Sequence, residues 1–226
     1  MIEAMLFDMD GLLLDTERVH LDSYAALCAQ LGHRVPAQHF IDAIGLADDV
    51  VIPRLAARVG YSGSIAALTA RREELYRGAI GAGPAPLMPG VPEAFRAGSA
   101  RGLRRGLVSS SPPQIVEPSM AALARQLGHR GDWRTLFDAV TTGDEAPTKP
   151  APDLYLRTCA KLSLAPASCL AFEDSPAGVR AAVAAGCRAV AIPHPHVDRG
   201  DPAFAEAHCC FGSLVDALAH PEILFD

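Results

Sequence analysis

The stretch Phe7-Asp8-Met9-Asp10-Gly11-Leu12-Leu13-Leu14-Asp15-Thr16 sets two carboxylates two residues apart at the end of an apolar run, Met5-Leu6-Phe7. That run predicts a buried strand. Side chains two apart on a strand point to the same side. Asp8 and Asp10 are therefore expected to project together where the chain leaves the sheet, with Gly11 permitting a sharp change of direction. Ionised carboxylates so close repel each other, and the usual remedies are a bound cation or a proton held by one of the pair. A bare D-x-D also fits a solvated acidic turn, so the choice between the two readings rests on the rest of the chain.

Three further stretches bear on it: Gly106-Leu107-Val108-Ser109-Ser110-Ser111, an apolar strand ending in hydroxyls; Thr148-Lys149-Pro150-Ala151-Pro152-Asp153, a lysine in the loop before a helix; and Leu170-Ala171-Phe172-Glu173-Asp174-Ser175-Pro176-Ala177-Gly178, a second strand ending in acids. With the pattern D-x-D-G-x-x-x-D-[ST]-E from Asp8 to Glu17, these four motifs in this order resemble the haloacid dehalogenase superfamily, its β-phosphoglucomutase-like branch in particular. The resemblance implies a doubly wound, mostly parallel α/β core of Rossmann-like type with an inserted α-helical cap. It also implies a phosphoaspartate chemistry that uses Mg²⁺, with Asp8, Asp174, the backbone carbonyl of Asp10 and Glu173 as metal ligands.

Each residue type has its own physical reason. Asp8 can attack phosphorus only if a cation shields it from the substrate's negative charge, and magnesium, which prefers octahedral oxygen ligands, suits Asp174 with Glu173 beside it. These acids follow an apolar run, so they too sit at a strand's carboxyl end, where open α/β sheets bind ligands. Lys149 is expected to neutralise the phosphoryl oxygens and keep Asp8 ionised, while Ser109 and the backbone N–H of Ser110 donate to the same oxygens and Gly11 completes the phosphate-binding turn. Asp10 can protonate a leaving alkoxide and then take a proton from the hydrolytic water. His194 and His196 lie in a Pro-rich loop without a matching third ligand and are read as loop residues.

The chain has 226 residues, half of them hydrophobic, enough for one full core and a smaller appendage. A formal charge of −6 argues against nucleic acid or an anionic membrane as partner. The expected partner is a small phosphate ester, and the expected state a monomer or weak homodimer. Six cysteines, at 28, 159, 169, 187, 209 and 210, lack C-x-x-C spacing and suit a reducing cytoplasm. The N-terminus enters the first core strand directly, which predicts no signal peptide, and no apolar run approaches the ~20 residues of a membrane span.

Strand-like segments at 4–7, 104–108, 138–141, 169–172, 188–192 and 208–211 alternate with helical patterns, which predicts a parallel sheet with helices on both faces. The hundred or so residues between the first two exceed one crossover. From Asp15 to about Gly81 they are helix-patterned, with Val19, Tyr24, Leu27 and Leu31 on one face and Gly32, Gly45 and Gly60-Tyr61-Ser62-Gly63 as punctuation. The reading is a core domain of 1–14 and 85–226 and a cap of 15–84, with the run from Gly81 to Gly90 as hinge and a helix resuming at Val91.

A cap suits a water-labile aspartyl phosphate, and specificity is expected there. His20 and Arg77 match family positions and keep a sugar phosphate in view as substrate. In Gly45-Leu46-Ala47-Asp48-Asp49, however, Asp48 stands where β-phosphoglucomutases carry an Arg. The cation for a second phosphate is expected to be missing and the acid to repel it. The sequence therefore favours a Mg²⁺-dependent phosphatase of a small phosphate monoester, with a phosphosugar mutase as the alternative. A receiver-type signalling domain would place its acids before the Lys, and here Glu173 and Asp174 follow Lys149. A dehalogenase or phosphonatase would differ at Asp10.

Overall fold

The computed structural model describes residues 1–43, 46–83 and 85–225. Six strands, β1 Ala4–Phe7, β2 Arg104–Val108, β3 Ala139–Thr141, β4 Cys169–Glu173, β5 Arg188–Ala191 and β6 Cys209–Cys210, form one sheet in the order β3-β2-β1-β4-β5-β6. Every pairing is parallel, and all six expected strands form, their ends shifted by at most one residue. The sheet turns at β1, whose neighbours β2 and β4 come from opposite directions of the winding, so the carboxyl end of β1 is a topological switch point.

β1 is buried on both faces, which is why it reads as an unbroken apolar run. Its alternation divides the core. Met5 and Phe7 join Leu107, Leu170 and Phe172 under helices α4 (Val91–Ala100) and α5 (Pro113–Gln126). Ala4 and Leu6 face α6 (Asp153–Leu162) and α7 (Pro176–Ala184) through Leu154, Tyr155, Leu162 and Val179. Cys169 and Cys187 are buried there as free thiols. Helices α8 (Ala203–Glu206), α9 (Leu214–Leu218) and α10 (Pro221–Phe225) close the C-terminal side. Gly90 opens α4 with φ +92°, and a Cβ there would meet the backbone N of Val215 at 2.5 Å.

Between β1 and β2 stand α1 (Glu17–Gln30), a 3₁₀ turn (Ala37–Ala43), α2 (Asp48–Arg58) and α3 (Ile65–Ala82). They carry a third apolar cluster of their own, built on Leu21, Tyr24, Leu27, Phe40, Ile52, Leu55 and Leu68, with Leu31 against it. Val19 departs from the expected face: one turn into α1, it packs instead against the cluster beneath the sheet. Gly32 and Gly60 follow α1 and α2 with positive φ, whereas Gly45 lies outside the described residues. Of the expected hinge run, Pro84 also lies outside them. The two chain passages beside it are tied together, Asp15 N–H donating to the Pro86 carbonyl at 2.9 Å and Met88 N–H to that of Leu13 at 3.1 Å.

Candidate active site

Asp8 and Asp10 leave the end of β1 in a tight turn. Gly11 takes φ +78° and donates its N–H to the Leu14 carbonyl at 2.8 Å. Asp8 is nearly buried, and its carboxylate pairs with the Lys149 ammonium, which also reaches the Val108 carbonyl at 2.9 Å and Glu173 Oε1 at 2.6 Å. Lys149 is drawn in from the loop before α6, its backbone N–H donating to Ser110 Oγ at 3.3 Å. Burial alone would lower its pKa, yet Asp8 and Glu173 outweigh that and raise it, so the ammonium stays charged.

Facing this pair, β4 delivers Glu173 and Asp174. Carboxylate oxygens of Asp8, Glu173 and Asp174 lie within 4.8 Å of one another. Glu173 Oε1 accepts from the Tyr155 hydroxyl, but Glu173 Oε2 and Asp174 Oδ2 are buried with no hydrogen-bond partner. The backbone crowds them: a Cβ on Gly178 would stand 1.8 Å from Glu173 Oε2, and one on Gly11 2.1 Å from Asp174 Oδ2. Burial pushes the Asp8 carboxyl up to about 8, with Glu173 and Asp10 adding to it against Lys149. Burial, then the charges of Asp8 and Glu17, likewise drive Asp174 well above its usual range. Buried, orphaned acids of one sign on hard oxygen donors fit a divalent cation of the magnesium type. His194 and His196 are not part of this cluster; His194 N–H donates to the Asp174 carbonyl at 3.1 Å, a loop contact as expected.

Asp10 sits differently. It accepts from the Thr16 hydroxyl at 2.6 Å, His20 Nε2 at 3.0 Å and the Ser111 hydroxyl at 2.9 Å. Burial alone would raise its carboxyl, but His20, Thr16 and Ser111 prevail and hold it below the usual carboxylate range. The His20 tautomer follows from Arg72, whose guanidinium can only donate and points at Nδ1, so Nε2 carries the proton toward Asp10.

One cavity gathers Asp8, Asp10, His20, Ser110, Ser111 and Lys149 with Glu17, Asp48 and Arg72. Ser109 lies just beneath, its Oγ accepting from the Ser111 N–H at 3.0 Å, which leaves its O–H free to donate. Arg77 is not brought in: it is exposed on α3, outside the cavity lining. The arginine at the site is Arg72. Leu68, Arg72, Tyr76 and Ile80 form the buried stripe of α3, and that four-residue spacing is the signal that singles out position 72.

Arg72 also corrects the expectation for Asp48. Its guanidinium donates to Asp48 Oδ2 at 3.1 Å, and the Tyr24 hydroxyl donates to Oδ1 at 2.6 Å. This acid at the start of α2 is neutralised by a buried cation reaching it from the next helix, so position 48 is the arginine's partner, not a free repelling charge. Ser111 and Glu17 are further lining residues that the motif reading left without a role.

A carboxylate at a switch point, braced by a buried lysine and facing an acidic cluster, has the groups that a hydrolase of phosphate esters needs. The chain belongs to the haloacid dehalogenase-like hydrolases, whose family model matches residues 2–186. It is 34% identical over 223 residues to hexitol phosphatase B of Escherichia coli (strain K12), covering 96% of this chain and 95% of that protein. It is 29% identical over 189 residues to a phosphorylated carbohydrates phosphatase of Thermotoga maritima, 82% of each being covered. The crystal structure of CbbY from Rhodobacter sphaeroides in complex with phosphate superimposes with a TM-score of 0.80 at 27% identity, over 96% of both chains. Phosphatases named among these relatives support the phosphatase reading over the mutase one.

Proposed function

We propose that this protein is a Mg²⁺-dependent phosphatase of small phosphorylated sugars or sugar alcohols that works through an aspartyl phosphate on Asp8. The observation that carries it is the Asp8–Lys149 pair set against two orphaned acid oxygens. Asp8 Oδ attacks phosphorus and the bond to the ester oxygen breaks. Lys149, with Ser109 and Ser110, holds the phosphoryl oxygens. Asp10 handles the proton: a phosphate brought beside it raises its proton affinity, so it can protonate the leaving alkoxide and then recover a proton from the water that cleaves the acyl phosphate. Asp8, Glu173 and Asp174, with the Asp10 carbonyl, would hold magnesium, which shields the phosphoryl charge from the attacking carboxylate.

Residues 1–14 and 85–226 form the catalytic core in this scheme, and 15–84 the cap, whose separate apolar cluster supports that division. His20 and Arg72 reach the site from the cap and position Asp10. Six free thiols, and the absence of any helix long and apolar enough to cross a membrane among the described residues, support a cytoplasmic setting. The test is phosphate release from sugar and polyol phosphates with Mg²⁺, run beside conversion of glucose 1-phosphate to glucose 6-phosphate. Metal-dependent release is expected to dominate, while efficient isomerisation with little phosphate would reinstate the mutase.

A further inference from the structure

Two polar groups of the cavity lining, the Glu17 carboxyl and Arg72 Nε, have no partner among the described residues. Glu17 opens α1 and is 4% exposed; it lines the cavity, yet its carboxyl makes no hydrogen bond or ion pair among the described residues. Arg72 is buried in the same lining, with its two terminal nitrogens committed to Asp48 and His20. Its third donor, Nε, is buried without a partner. Native interiors rarely leave a buried donor such as Arg72 Nε unpaired. A donor and an acceptor left open in one cavity point to a ligand that supplies the complement of both.

We infer that Glu17 and Arg72 Nε are specificity-determining contacts for the leaving group, and that this group is an uncharged polyhydroxylated chain. The inference rests on the phosphatase reading and sharpens it. A hydroxyl has one hydrogen to give and two lone pairs to receive, so it can donate to Glu17 and accept from Arg72 Nε–H. The charges exclude the alternatives. Among the described lining residues the Lys149 and Arg72 cations are already paired, to Asp8 with Glu173 and to Asp48 respectively. A carboxylate or second phosphate on the leaving group would find no uncommitted cation. Hydroxyls meet no such penalty, and an alkyl chain lacking them would leave both groups desolvated and unpaired.

The experiment compares kcat and KM for a hexitol 6-phosphate, n-hexyl phosphate and phosphoglycolate, with Mg²⁺, in the full-length protein and in Glu17→Ala and Glu17→Gln. The unmodified protein is expected to favour the hexitol ester over the hexyl ester and to use phosphoglycolate poorly. Glu17→Ala should reduce the hexitol-to-hexyl ratio of kcat/KM by about fivefold to a hundredfold, the cost of leaving a buried hydroxyl unpaired, mainly through KM for the hexitol ester. Glu17→Gln, which keeps one acceptor oxygen and the side-chain volume, should retain part of the preference; it also serves if the alanine variant does not fold. Equal losses on both esters would overturn the inference, because a structural or metal-supporting Glu17 cannot tell them apart. So would a preference for phosphoglycolate. Release from both esters with uncharged leaving groups without discrimination sinks this inference alone, whereas no metal-dependent release from any ester takes the phosphatase reading with it.

Discussion

Gly11→Ala probes the approach of the nucleophile turn to the acidic cluster. The added Cβ would lie 2.1 Å from Asp174 Oδ2 and 3.0 Å from its Cγ, so the carboxylate must retreat by more than an ångström to reach ordinary contact. Backbone strain adds to this, since φ +78° is left-handed and costs an L-residue about 1–2 kcal/mol. At roughly 2–4 °C per kcal/mol for a chain of this size, the metal-free protein should melt about 2–8 °C lower. Displacing Asp174 should matter more for the metal. Mutations that misplace groups around a metal ligand typically cost about 10–100-fold in metal affinity, so the Mg²⁺ concentration for half-maximal phosphate release should rise by that factor. The assay is a Mg²⁺ titration of activity beside thermal melts with and without the ion. An unchanged half-saturating Mg²⁺ concentration in a folded Gly11→Ala protein would refute the reasoning that Gly11 makes room for a metal-holding Asp174.

Asp10→Asn leaves the nucleophile but removes the proton donor, so an alkyl phosphate should lose about 10²–10⁴-fold in rate and an activated aryl phosphate far less. Equal losses would take the proton-transfer role from Asp10. In the metal-free protein the folded Asp8 carboxyl titrates at about 8 against an ordinary 3.8, so the folded state keeps a proton that the unfolded chain has lost. Stability from this group is therefore full below about pH 4 and falls as pH rises toward 8, and Mg²⁺ displaces the proton. The gap in melting temperature between Mg²⁺-loaded and metal-free protein should widen from pH 5 to 8; a narrowing gap would contradict the assignment. Asp48→Arg should set a second guanidinium against the buried Arg72 and lower the melting temperature without creating a bisphosphate site, readable by calorimetry and by binding of a sugar bisphosphate.

Much of the fold is legible in residue pattern because its causes are local. Apolar runs such as Met5-Leu6-Phe7 and Leu170-Ala171-Phe172 must be buried on both faces, and residues ending them must emerge at one edge. Asp8, Glu173 and Asp174 meet for that reason, and Lys149 joins them from the loop before α6, 141 residues from Asp8. The helical stretch between β1 and β2 is less legible. Arg77 and Arg72 differ only in which face of α3 they occupy, and the face is settled by what packs on Tyr76 and Leu68. Asp48 reads as a repelling acid until Arg72 and Tyr24 arrive from two other helices to hold it. Glu17 ends the first motif without a role assigned to it, and only the cavity sets it beside Asp10 and Arg72.

The most direct measurement is the fate of labelled phosphate in a rapid acid quench. With Mg²⁺ and a ³²P-labelled hexitol phosphate, label should appear on the peptide containing Asp8 before free phosphate accumulates, and Asp8→Asn should show neither label nor turnover while keeping its fold. Free phosphate formed with no labelled Asp8 peptide at any time, or turnover surviving in Asp8→Asn, would contradict a carboxylate nucleophile at the end of β1.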